Sequence, residues 1–242
     1  MNPDTVLKQW NRLGAFFNVE SAEKTPDIEQ LLIETAVYCP MMPRLVAITV
    51  TWLTQYYRLV CRHRLAKFTG DIADTDTSAA LGLILAMTKH YTSTDHFNLI
   101  IKMCHPVVPS KPLFHADRQS DALAKLANRH SSDLGCKWGL WCEDVQLKED
   151  AIRPLNWLMD QNPSLQYRAL FGGNLRASIL EVLRFTPDAA QSESALARYC
   201  CVTRKAVREA LDHLEFCQFV DRIHDARNVR ISLKDKYLKL SV

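Results

Sequence analysis

The sequence predicts a mainly α protein. An N-terminal helical bundle or short helical array over residues 1–171 is followed by a smaller C-terminal domain over 172–242, which ends in a small β-hairpin. Three observations predict this. Apolar residues recur at helical spacing from Val6 onward, and short strand-like runs follow only from Phe219. The 242 residues are 48% hydrophobic and 24% charged with only 7 glycines and 10 prolines, which excludes a disordered chain, a collagen and a turn-dense all-β sandwich. Phe171-Gly172-Gly173-Asn174 marks the boundary, because paired glycines open φ/ψ space and asparagine is a favourable N-cap.

The N-terminal elements follow in order. Val6, Leu7, Trp10, Leu13 and Phe17 form one face of a helix over Thr5 to Phe17. Pro26, Asp27 and Glu29 open a second helix with the stripe Ile28, Leu31, Leu32, Thr35, Ala36, and Cys39-Pro40 ends it. Pro43 opens a long helix that is apolar nearly all round from Leu45 to Leu53, as suits the centre of a bundle. Its extension turns basic at Arg58, Arg62, Arg64 and Lys67. An acidic loop, Gly70 to Ser78, leads to a helix from Ala79 to Lys89 that Ser78 or Thr77 would cap. Helices are expected over Thr94 to Cys104 and Asp117 to Asn128, with a proline-rich loop over 105–116 between them. Residues 129–150, with Trp138 and Trp141, read as short or irregular structure. Pro154 and Pro163 each start a further helix, and helix pairs of this length are compatible with a solenoid.

After Asn174, Leu175, Ile179, Val182 and Leu183 lie on one helical face, and Thr186-Pro187-Asp188 stops the helix. Ser192 caps a short second helix carrying Leu196, Ala197 and Cys200. Thr203 caps a third, with Val207, Ala210, Leu211 and Leu214 inward and Arg204, Lys205, Arg208 and Asp212 outward. Two strand-like runs follow, Phe219 to Ile223 and Val229 to Leu233.

This order, carried by SALARYCCVTRKAVREALDHLEFCQFVDR, resembles the winged helix-turn-helix domains of bacterial transcriptional regulators. The resemblance covers roughly the last 70 residues. It implies a scaffold helix at Leu196-Ala197, a turn at Cys201-Val202-Thr203, a recognition helix over Arg204 to Phe216 and a wing over 220–233. Two positions depart from the family pattern, which often has glycine where Cys201 stands and glycine or asparagine where Gln218 stands. Either these turns are built differently or the alignment slips by a residue.

The resemblance implies duplex DNA as the partner. A recognition helix fits the major groove and reads base edges from its N-terminal side chains. Arg204, Lys205 and Arg208 stand there, Thr203 suits a phosphate oxygen, and Arg222, Arg227 and Arg230 would place cations on the wing. The charge distribution agrees. Residues 1–170 hold 18 basic and 18 acidic side chains, whereas 171–242 hold 12 and 9, so the whole net charge of +3 lies in the C-terminal part. The expected protein is a cytoplasmic DNA-binding regulator and not an enzyme. Its helical domain would supply dimerisation, a protein-partner surface or a small-effector pocket. A homodimer on a palindromic site is the expected arrangement. The alternative is a non-enzymatic scaffold or adaptor subunit whose helical layers and winged helix bind protein partners.

Other constellations yield less. Eight cysteines contain no CxxC and read as reduced, mostly buried side chains. Cys61-x-His63, Cys104-His105, Cys136/Cys142 and Cys200-Cys201 lack zinc spacing, so no metal is expected, and a redox role for Cys200-Cys201 is the lesser reading. Asp71, Asp74 and Asp76 lack the glycine and glutamate of a calcium loop and read as a capping loop. No phosphate-loop, dinucleotide, zincin or nucleophile-elbow motif is present, so neither cofactor nor catalytic residue is assigned. Trp52, Tyr56, Tyr57 and Phe68 with Arg58, Arg62 and Arg64 could form a second nucleic-acid surface; a core helix with a solvated end is the plainer reading. The longest apolar run, Leu45 to Leu53, is too short for a span of ~20 residues. The start MNPDTVLKQW has no apolar h-region, so neither membrane nor signal peptide is expected.

Overall fold

The computed structural model describes residues 2–225 and 228–234. It is mainly helical, 64% helix, with a small antiparallel two-stranded sheet near the C-terminus. Among the described residues no helix is long and apolar enough to cross a membrane. The chain forms two compact units. The first comprises Met1–Tyr57 and Phe68–Gln161; the second comprises Arg58–Lys67 and Asn162–Val242. The division therefore falls ten residues before the glycine pair, and a segment from the middle of the expected first domain belongs to the second unit.

In the first unit, α1 (Pro3–Arg12) is capped by Asn2 and ends at Gly14, whose φ of +79° reverses the chain. Helix α2 (Ile28–Tyr38) is capped by Asp27, which accepts from the Glu29 and Gln30 amides. Helix α3 (Pro43–Tyr56) buries Leu45, Val46, Ile48, Val50, Trp52 and Leu53, as its all-round apolar sequence requires. It does not continue into the basic segment, because a 3-10 turn at Tyr57–Leu59 breaks it. The basic residues open a separate helix, α4 (Arg62–Gly70), most of which lies in the second unit.

Helix α5 (Thr75–Thr92) starts earlier than expected. Its cap is Asp74, which accepts from the Asp76 and Thr77 amides; Thr77 and Ser78 lie inside the helix. Those hydrogen bonds, led by the Thr77 hydroxyl, hold the Asp74 carboxyl below the usual carboxylate range. Gly82 stands inside α5 for a packing reason: a Cβ there would lie 2.3 Å from the Trp138 ring. Helices α2, α3 and α5 pack together as the centre of this unit.

The indoles of α1 and α3 lock them to their neighbours. Trp10 Nε1 donates to Thr35 Oγ1 at 2.8 Å, Trp52 Nε1 donates to the Leu13 carbonyl at 2.8 Å, and the two rings meet edge to face at 5.5 Å. Short elements complete the unit. Helix α6 (Asn98–Met103) precedes β1 (Lys111–Pro112), and α7 (Asp121–Arg129) and α8 (Asp133–Lys137) precede β2 (Leu140–Trp141). The two strands pair in parallel, Lys111 with Leu140 and Pro112 with Trp141, where the sequence reads as loop and irregular structure. Helix α9 (Leu155–Gln161) closes the unit.

In the second unit, α10 (Gln166–Phe171) is followed by α11 (Leu175–Phe185), α12 (Glu193–Tyr199) and α13 (Arg204–Phe216). Asn174, Ser192 and Thr203 cap the last three, each accepting the amide three residues on. Strands β3 (Val220–Asp225) and β4 (Asn228–Leu233) form an antiparallel hairpin with Val220 opposite Leu233. The core includes Tyr167, Ile179, Leu180, Leu196, Val207, Leu211, Leu214, Val220 and Ile231, so α10 to α13 and both strands contribute to it. Gly173 is required by close approach, because a Cβ there would lie 1.9 Å from the Val60 carbonyl oxygen.

Candidate nucleic-acid interface

Helices α12 and α13 end in the same motif. After α12, the Cys201 amide donates to Arg198 O and the Val202 amide donates to Ala197 O. After α13, the Gln218 amide donates to Glu215 O and the Phe219 amide donates to Leu214 O. Each is a Schellman pair, which needs a left-handed residue at its centre. Cys201 and Gln218 fill those positions with φ of +57° and +61°. These are the two positions where glycine is common in the resembled family. Both turns thus hold a non-glycine residue in the left-handed region.

Charge on the outer face of α13 is organised by one buried acid. Glu193, the first residue of α12, has a side chain only 5% exposed. Arg204 Nε donates to its Oε2 at 3.1 Å, and Arg208 Nη2 donates to the same oxygen at 2.9 Å. The hydrogen bonds from Arg208, then Arg204, hold the Glu193 carboxyl below the usual carboxylate range. Both guanidiniums stay open to solvent, with 59% and 55% of their side chains exposed. Sequence alone marks Glu193 only as a first-turn acid. Its burial under α13 is decided by how the two helices cross.

The other expected contacts fare differently. Lys205 is exposed and reaches Glu209 only at 3.9 Å, one helical turn on. Thr203 is exposed, and its oxygen accepts the Ala206 amide, leaving its hydroxyl proton as a donor. Arg230 is exposed on β4. Arg222 is not a free wing cation. Its side chain is 16% exposed, with Nη2 2.7 Å from Asp212 Oδ1 and Nε 2.9 Å from Glu215 Oε2. It ties the hairpin to α13. Arg227 lies outside the described residues. Two apolar side chains near the hairpin face solvent, Phe216 (87% exposed) and Ile223.

The cysteines separate by environment. Cys39, Cys61, Cys104, Cys142 and Cys200 are buried, Cys136 is exposed, and none of the eight is in a disulfide. Cys61 Sγ lies 3.2 Å from the His63 ring nitrogens and 3.1 Å from Ser178 Oγ. The His63 ring is also hydrogen-bonded to the Cys200 backbone. Burial, helped by the Arg64, Arg168 and Arg62 cations, lowers the His63 pKa to about 4. Burial pushes the Cys200 thiol up to about 12, which makes it a poor nucleophile. Among the described residues no group of three or more His, Cys, Asp or Glu side chains is arranged to hold a metal ion.

The acidic loop is spent structurally: Asp74 caps α5 and Asp76 pairs with Lys111 at 2.5 Å. Of the aromatic–basic segment, Trp52 and Tyr56 are buried in the core of the first unit, as the plainer reading expects, and Arg62 is exposed. Comparison of the chain with protein-family models, curated proteins and solved structures finds no match.

Proposed function

We propose that the protein is a DNA-binding regulator that reads duplex DNA with α13 and supports the contact with the β3–β4 hairpin. The observation that carries this reading is the pair of exposed guanidiniums at the start of α13, held side by side by buried Glu193. An arginine has five donors, and Glu193 occupies one on Arg204 and two on Arg208. The remaining donors belong to side chains that stay more than half exposed, and the shared carboxylate restrains both guanidiniums. That lowers the ordering cost of a bidentate contact to guanine or phosphate. Thr203 and Lys205 would meet the backbone beside them, and Arg230 would do so from the hairpin. Arg222 is left out of the contact set, since its donors serve Asp212 and Glu215. A two-fold dimer on a palindromic site goes with this reading.

The test is a fluorescence-anisotropy titration of the full chain with duplex DNA at several salt concentrations. Arg204→Ala with Arg208→Ala should weaken binding by about tenfold or more and flatten the salt slope. Unchanged affinity and slope would remove α13 as the reading helix.

The exposed Phe216 and Ile223 favour a second reading, a scaffold subunit that docks on protein through the hairpin end. On that reading the wild-type chain has no salt-sensitive duplex affinity. Phe216→Ser would then release a co-purifying protein partner.

A further inference from the structure

The first unit carries a cavity of about 430 Å³ between the start of α3 and α7. Small-molecule sites usually span ~300–1,000 Å³. Its floor is apolar and buried, formed by Val46, Leu113 and Cys142. One wall is α7, which contributes no buried residue to the core. Leu123 and Leu126 of α7 line the cavity and remain exposed. An amphipathic helix normally buries its apolar stripe against other elements. Here the stripe borders an open cavity, and a ligand with an apolar body would complete its burial.

The charge of the lining selects the ligand. Asp117, Glu143 and Asp144 line the cavity, and no lysine or arginine does. Cys142 stays neutral, since burial pushes its thiol up to about 12. His130 is the other titratable group of the lining. Three carboxylates beside an apolar floor repel carboxylates and phosphates and attract a cation.

We propose that this cavity is a binding site for a cationic amphiphile, a small molecule with an apolar body and a protonated amine. The apolar body would lie on Val46 and Leu113 under the α7 leucines, with the ammonium among the three acids. This assignment does not depend on DNA binding.

The test is calorimetric titration of the full chain with naphthylethylamine, naphthylethanol and naphthylacetate, which share one apolar body. The amine should bind about tenfold tighter than the alcohol, and the carboxylate more weakly than either. Raising salt should narrow the gap. Glu143→Gln with Asp144→Asn, which leaves Asp117 as the only acid of the lining, should cut the preference for the amine over the alcohol severalfold. Ala127→Trp, which fills the cavity from α7, should abolish binding of all three. Leu123→Arg, at an exposed position that should leave the fold intact, should weaken the amine at least tenfold. Equal binding of amine and carboxylate, or amine binding indifferent to Leu123→Arg, would overturn the assignment.

Discussion

Cys201 and Gln218 sit in left-handed backbone conformations that a side chain makes costly, yet each ends a helix with two satisfied carbonyls. The bonds compensate for the strain, and Val202 and Phe219 pack on the core immediately afterwards. Gln218→Gly should therefore stabilise the chain by about 1 kcal/mol in chemical denaturation, since glycine adopts this conformation without a Cβ clash. A loss of stability would mean that the glutamine side chain contributes more than its backbone costs. Both positions are visible in the sequence as departures from a family pattern, whereas their φ values are a property of the fold. Glu193 is the opposite case. Nothing local separates it from other first-turn acids. Only the crossing of α12 and α13 buries its carboxylate under two arginines.

At the scale of elements, helix starts were the most legible features. Asn174, Ser192 and Thr203 each cap the expected helix, because capping depends on a side chain and an amide three residues apart. The start of α5 is ambiguous in the sequence because a run of Asp, Thr and Ser offers several competent caps, and the bonds choose Asp74. The break before the basic segment is not legible, because a polar extension is compatible with helix and the 3-10 turn at Tyr57–Leu59 has no glycine or proline to announce it. Two-residue strands such as β1 and β2 carry no periodicity to detect. The hairpin depends on a tie that sequence cannot assign, Arg222 to Asp212 and Glu215 of α13. Arg222→Ala should cost about 1 kcal/mol and speed amide hydrogen exchange in β3 and β4. Arg230→Ala, on the exposed side, should stay within ~0.5 kcal/mol. Equal exchange rates in the two variants would remove the tie as a stabilising contact.

On the scale of the whole molecule, the chain supplies Arg58–Lys67 to the second unit before it completes the first. That segment brings His63 against Cys61 and the Cys200 backbone and places the Leu59 carbonyl as an acceptor for buried Arg168. His63 titrates at about 4 when folded and near ~6.5 when unfolded. Its contribution to stability is therefore fully present above ~6.5 and is lost as pH falls from there toward 4, because the unfolded chain takes up a proton that the folded one refuses. Wild-type protein should lose more thermal stability between pH 7 and pH 5 than His63→Gln, with both melts followed by circular dichroism. Identical losses would show that His63 does not titrate differently on folding. The sequence by itself determined the helical class, most helix caps, the order helix–turn–helix–hairpin and the basic excess of the last 72 residues, because these follow from periodicity, capping and composition within short windows. Only the tertiary structure decided that Glu193 gathers Arg204 and Arg208, that Arg222 is spent on Asp212 and Glu215, that residues 58–67 join the second unit, and that α7 leaves a cavity with an acidic lining. Each of these is a meeting of residues far apart along the chain or of side chains whose orientation packing sets, and no local pattern encodes which charges will meet.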